Sequence, residues 1–375
     1  MPESCRRARK VGGTGAILSA IAVFLVIGLT GCPPPTENEI RVTVTADGRS
    51  AMELTQEEIV ALARREGELW WYTSLPEAQA REFLARFERA RPFITTHLVR
   101  GSTFEIVRRV DSELARGELR ADVLHVLDPA AFDDLRRRGE LYSHDSMHSR
   151  DFPPQYQEPG QWGPMRAVTI TMAYDTRRMS AEEAPRTWKA LLETEWEGRV
   201  GLKDAQTGGS AYAQYYHLRD EYGLAYWREM AQHRPLIHRS SADTLRALTA
   251  GEIDIAGGIL GYSVYQAVQD GLPVEEIWPE DGVPVMIGPV AVLSRAPHPH
   301  AGILFMDWAL SREGQEAIVE ISSGYSLRDD VDPAPGRPSL SELNLLQQRG
   351  TWSEYRTRQE RLQYEYSRLF HPEAE

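Results

Sequence analysis

The side chains best equipped for chemistry in this sequence are small hydroxyl and glycine groups placed where helices begin. They are Thr73-Ser74, Ser102-Thr103, Gly209-Ser210 and Ser240-Ser241, with Asp128 and Tyr262 in comparable positions. Hydroxyls donate hydrogen bonds without bulk, and a helix N-terminus adds unpaired N–H groups and a partial positive charge. One such group alone is a helix cap. Several converging on one edge make a cradle for a desolvated oxyanion. The sequence holds no Gly-x-Ser-x-Gly turn, no phosphate-binding Walker loop and no His-Glu-x-x-His pair, and its acids are too scattered to nominate an acid–base couple. Binding without catalytic residues is therefore the expectation.

The elements that must position these loops follow from the apolar pattern. Thr55 to Glu58 has the form of a capping box, and Ile59, Leu62 and Ala63 then recur at helical spacing. Leu69-Trp70-Trp71-Tyr72 reads as a buried strand ending in the polar Thr73-Ser74 loop. A helix with Phe83, Leu84 and Phe87 on one face follows, then a strand over 94–99, a helix carrying Ile106, Val107 and Val110, and a strand over 121–127. A second series starts at 168–174 and continues with 200–202, a helix over 211–222, 253–256 and 290–293. Strands alternating with helices predict βαβ units, a parallel sheet and helices on both faces. In such α/β folds ligands bind off the carboxyl ends of the strands, where the hydroxyl loops lie. Trp70, Trp71, Trp188, Trp196 and Trp227 are expected in packing. His144 and His148 are expected in a surface loop, His298 and His300 in a solvated turn, and Arg136 to Arg138 at a solvated helix end.

The N-terminus addresses location. Arg6, Arg7, Arg9 and Lys10 precede an apolar run over 16–29, which ends in Leu29-Thr30-Gly31-Cys32. This is the layout of a secretory signal, too short to span a bilayer. The last four residues resemble the lipobox of bacterial lipoproteins, which implies that Cys32 is acylated and becomes the mature N-terminus. Residues 1–31 form the expected signal peptide, and 32–53, opening on Pro33-Pro34-Pro35, a tether that holds the body off the periplasmic face of a membrane. The chain has net charge -13, which becomes -16 without the basic leader. That balance excludes nucleic acid as the main partner. Cys5 and Cys32 are the only cysteines, so the mature protein has no disulfide and its stability rests on its core.

Several motifs occur in the order found in one family: Trp71 to Pro76, Arg100 to Thr103, Asp128 to Phe132, Ala173 to Thr176, Trp196 to Arg199, Gly288 to Ala291 and Gly324 to Arg328. Together they resemble the ferric-iron type of periplasmic solute-binding proteins of ABC importers, over roughly Leu54 to Asp332. The resemblance implies an α/β, type II periplasmic-binding-protein fold with a ligand cleft between two lobes joined by crossing strands. The expected lobes are 54–165 with 284–322, and 166–283 with 323–375. It also implies a monomer that delivers its ligand to an inner-membrane permease, with no resident cofactor. Iron binders of this type hold Fe(III), with a synergistic anion, through adjacent tyrosines, His and Glu. Tyr262 and Glu105 match two of these positions. Gly261 and Ser263 flank Tyr262, and the Thr73-Ser74 loop carries no histidine. The expected cargo is thus ferric iron or a small oxyanion of phosphate or phosphonate type. An exported enzyme acting on an anionic substrate and a ligand sensor are the alternatives. Anchoring is testable directly: Cys32→Ser should give a protein that is unprocessed or free of the membrane. Processed variant retained on membranes through a salt wash would contradict lipidation, since acyl chains contribute about 0.8 kcal/mol per buried CH₂.

Overall fold

The first helices and strands form where the caps and apolar runs require. α1 (Gln56–Glu66) opens on the Thr55–Glu58 capping box and closes on Gly67, whose φ of 70° suits a residue without a Cβ. β1 (Glu68–Thr73), α2 (Glu77–Ala90), β2 (Thr95–Arg100), α3 (Thr103–Arg116), β3 (Val123–His125) and α4 (Pro129–Arg137) follow. The structure is a computed structural model that describes residues 54–207, 209–346 and 348–371, all within the compact unit Ile40–Glu375. The signal segment, Cys32 and the tether lie outside the described residues.

Two long strands organise the remainder. β4 (Gly163–Asp175) and β9 (Val283–Val292) pair antiparallel from Gly163↔Val290 to Thr169↔Val285. Between them the chain forms β5 (Val200–Lys203), α5 (Gly209–Gln232), β6 (Leu236–His238), α6 (Ser241–Ala250), β7 (Ile255–Leu260), α7 (Gly261–Gln269) and β8 (Val274–Ile277). After β9 come α8 (Pro299–Leu310), α9 (Arg312–Ser322), β10 (Leu345–Leu346) and α10 (Trp352–Phe370). The strand order is β2-β1-β3-β9-β4-β7-β5-β6, with β8 on β4 and β10 on β9.

The sheet is mixed rather than parallel. β1 pairs parallel with β2 and β3, and β5 with β6 and β7, as the βαβ reading requires. β9 runs antiparallel to β3 and β4, and β4 antiparallel to β7 and β8. The reversal arises because β4 and β9 each traverse the middle of the sheet and contribute pairing to both of its halves. All thirteen residues of β4 are buried, which removes the alternating pattern of a one-sided strand. One core gathers Trp71, Phe83, Phe87, Phe305 and Trp308 beneath β1, β3 and β9, and another gathers Trp188, Trp196, Tyr215 and Trp227 beneath the second half-sheet.

His144, His298 and His300 differ from expectation, while His148 lies partly exposed in a turn, in keeping with its expected surface loop. His144 is buried and its Nε2 lies 2.8 Å from Asp307; the ring of His300 meets Glu66 at 2.6 Å, and that of His298 meets Asp122 at 3.0 Å. They are fixed rather than solvated because each satisfies a largely buried carboxylate. Arg136, Arg137 and Arg138 are partly exposed at the end of α4 but are paired with Asp133, Asp134 and Asp111.

α10 packs on both α5 and α4. Its body is held to α5 by Arg219–Glu365 at 2.7 Å and by the Tyr212 hydroxyl donating to the Tyr355 carbonyl at 3.0 Å. Its first turn holds α4 through Arg356 Nη2 and Asp128 Oδ2, 2.7 Å apart. Burial raises the Asp128 carboxyl above its ordinary range, and Arg356 opposes that rise. Arg356→Met should therefore cost about 2 kcal/mol in chemical denaturation, a buried-pair figure reduced for the part-exposed guanidinium. Adding Asp128→Asn should recover part of the loss. Strictly additive losses would show that the pair has no coupling.

Candidate functional site

The site is built from the middle of β4 outward. Arg166 stands opposite Gly288 of β9 and is 1% exposed. Its Nε and Nη1 are buried without any hydrogen-bond partner. Burial pulls the guanidinium below its ordinary pKa, and the only group opposing that shift is Tyr262. The Tyr262 ring lies 5.8 Å from the guanidinium carbon. On the other side, a Cβ at Gly288 would lie 2.9 Å from His125 Nε2 and 3.4 Å from Arg166 Cγ, so this glycine keeps the space between the two side chains open.

His125 ends β3 and is fully buried. Burial first, and the charge of Arg166 second, hold its pKa well below the ordinary value, so the ring is neutral. Its Nδ1 lies 2.7 Å from the Thr73 hydroxyl, which also accepts from the Leu75 N–H at 3.1 Å. The tautomer in which Thr73 donates to Nδ1 leaves a proton on Nε2, and Nε2 has no partner. A cation and a neutral ring with unmet hydrogen-bonding capacity thus both pack against Gly288.

The molecule supplies its own contrast. Arg337 is also buried, but its guanidinium donates to Glu276 at 3.1 Å and to the Ser323 carbonyl at 2.7 Å, leaving only Nε unpaired. Burial, partly offset by Arg337, pushes the Glu276 carboxyl up to about 7. Arg328 pairs with Asp151 at 2.7 Å and with Asp330 at 2.8 Å. Arg166 has neither carboxylate nor carbonyl among the described residues. A buried charge without a counter-charge costs several kcal/mol, so this arrangement points to an anion supplied from outside the chain. Lys203 repeats the pattern at the end of β5. It is 6% exposed, its Nζ contacts the Ser210 hydroxyl at the start of α5, and burial drops its pKa to about 7.

The residues singled out from the sequence fall into three groups. Thr73 and Tyr262 lie in the chain of contacts around Arg166, and the adjacent Ser74 has a buried hydroxyl with no partner. Thr103, Asp128 and Gly209 line a small cavity of about 30 Å³ beside α10, room for about one water. Ser102, Ser240 and Glu105 serve their own helices. Ser102 caps α3 while its N–H donates to Glu105 at 2.8 Å, and Ser240 caps α6 through the Asp243 N–H at 3.1 Å. The Ser241 hydroxyl is buried and unpartnered. Hydrogen bonds from Ser102 hold the Glu105 carboxyl below its usual range. Among the described residues no group of three or more His, Cys, Asp or Glu could hold a metal ion. Sequence reasoning passed over Arg166, His125 and Lys203. The available signal was a charge inside an apolar run, Met165-Arg166-Ala167-Val168, which a strand read as starting at 168 excludes.

A mixed sheet whose two halves share β4 and β9, with unpaired donors on β3 and β4, has the fold of the type II periplasmic binding proteins. Residues 121–344 match the bacterial extracellular solute-binding proteins, and the chain belongs to that family. A putative 2-aminoethylphosphonate-binding periplasmic protein of Salmonella typhimurium is 23% identical over 254 residues, covering 64% of this chain and 72% of the relative. Iron-bound HitA from Pseudomonas aeruginosa superposes with a TM-score of 0.69 at 22% identity, over 79% of this chain and 99% of HitA. AfuA from Actinobacillus pleuropneumoniae, with fructose-6-phosphate bound, superposes with a TM-score of 0.68 at 19% identity, over 81% and 98%. The likeness to the ferric-iron type of solute-binding protein read from the sequence is upheld, as is the fold class.

Lys203 gives any anion bound beside it a pH signature. An anion beside it stabilises the charged ammonium, so binding takes up a proton above pH 7 and affinity falls as pH rises from about 7 toward 9. Sulfate, which does not titrate in this range, should show that fall by calorimetry, and Lys203→Met should flatten it. A sulfate affinity independent of pH in the unaltered protein would remove Lys203 from the site.

Proposed function

We propose that this chain is the lipid-anchored capture subunit of an ABC importer, held through Cys32 on the periplasmic face of a bacterial membrane, and that its cargo carries an oxyanion bound by Arg166. The observation carrying this reading is the buried guanidinium with no counter-charge, in a protein whose other buried arginines have carboxylates. The proposed lobes divide near 165 and 284, with α10 carried by the second and reaching α4 of the first. Thr73 and His125 then lie toward one side of the cleft, Tyr262, Ser210 and Lys203 toward the other, and Arg166 at the division between them. A ligand touching both sides favours closure, and a permease recognises the closed form. The protein acts as a monomer and performs no reaction on its cargo.

Ferric iron is the second reading, favoured by Tyr262 near Arg166, since a phenol oxygen is a hard donor suited to Fe(III). A trivalent ion next to Arg166 still needs an anion between them, and Glu105 is engaged at its helix cap. The oxyanion is therefore the common element of both cargoes.

Thermal shift separates the readings. Phosphate and methylphosphonate should raise the melting temperature of the full chain without colour, a ligand at 100 times its Kd adding about 2.7 kcal/mol. Arg166→Leu should abolish the shift while leaving the protein folded or more stable, because it deletes an uncompensated charge. A coloured complex with ferric citrate that Tyr262→Phe bleaches would select iron. Undiminished anion binding by Arg166→Leu would overturn the proposal.

A further inference from the structure

Tyr262 borders two spaces. Its ring lies beside the Arg166 guanidinium, and it also lines a groove of about 430 Å³ between α6 and α7. The groove has an apolar lining of Leu245, Ala267 and Leu272, with Ala242 at its side. Gln79 of α2 contributes from the first half of the chain, and its Oε1 is buried without a hydrogen-bond partner. Val268 and Leu272, on the same stretch of chain, are among the few large apolar side chains left exposed in the described residues.

These features do not describe a container for a bare inorganic anion. A phosphate or sulfate ion has no apolar surface to bury, and 430 Å³ falls in the size range of sites for small organic molecules. Tyr262 stands between the groove and the cation site, its ring 5.8 Å from the Arg166 guanidinium carbon. We infer that the cargo is an organic oxyanion whose charged end meets Arg166 and whose apolar substituent passes Tyr262 into the α6–α7 groove. This rests on the oxyanion reading above and adds the chemical class of the rest of the ligand. Gln79 and the α6–α7 wall come from different parts of the chain, so a substituent in the groove gives closure a second set of contacts beside those at Arg166. Burial along Leu245, Ala267 and Leu272 makes affinity depend on chain length, whereas recognition at Arg166 alone does not.

The test is a calorimetric series at one pH on the full chain with phosphate, methylphosphonate, propylphosphonate and pentylphosphonate. Affinity should rise about fourfold for each added methylene until the groove is filled, the ratio given by about 0.8 kcal/mol per buried CH₂. Ala242→Trp places an indole in the groove from an exposed helix position. It should keep methylphosphonate binding within about twofold while erasing the gain with chain length. Equal affinity across the series in the unaltered protein would overturn the groove as a subsite and leave the oxyanion reading intact. A length dependence unchanged by Ala242→Trp would likewise overturn it. Absence of binding by every phosphonate and by phosphate would overturn the oxyanion reading, and this inference with it.

Discussion

Everything in this molecule is hung on the antiparallel pairing of β4 with β9. Each strand is long enough to serve both half-sheets, so the pair joins two cores that would otherwise be separate α/β units. Because covering elements bury all of β4, a charge on it is taken out of bulk water. Asp175 at its end is paired with Arg177, whereas Arg166 has no carboxylate among the described residues. It faces Gly288 on the partner strand, where a Cβ would press on His125 and Arg166. The same pairing that unites the fold thus holds a desolvated cation where its two halves meet.

A buried guanidinium without a partner is costly, and stability alone does not account for keeping it. The cost is recovered when an anion arrives, because the attraction is strong where water is excluded. On the proposed reading, binding and closure are one event, because the closed arrangement is favoured only by the differential contacts the ligand makes in it. The neutral His125, held by Thr73, adds hydrogen-bonding capacity without adding charge, and Lys203 adds a second cation poised to gain a proton beside an anion.

Much of the fold was legible because it rests on local signals. The Thr55–Glu58 box, the aromatic run at 69–72 and the helix starts at 103 and 241 all lie where residue pattern places them. The antiparallel centre was not legible from periodicity, since β4 is buried on both faces and shows no alternation to reveal its length. The hydroxyl loops were legible as strand-end features. Whether a hydroxyl caps its own helix or stays unpaired, as Ser240 and Ser241 respectively do, depends on side-chain geometry that neighbouring residues in sequence share almost equally. Arg166 escaped because its meaning is an absence: only the folded structure shows that no carboxylate reaches it, while Arg337 finds Glu276 from 61 positions away.

The most direct measurement is a crystal structure of the full chain with phosphate present. The account predicts tetrahedral density beside Tyr262, with oxygens within about 3 Å of Arg166 Nε and Nη1. A carboxylate of the protein paired with Arg166, or phosphate bound only at distant helix ends with those nitrogens still unpartnered, would contradict it.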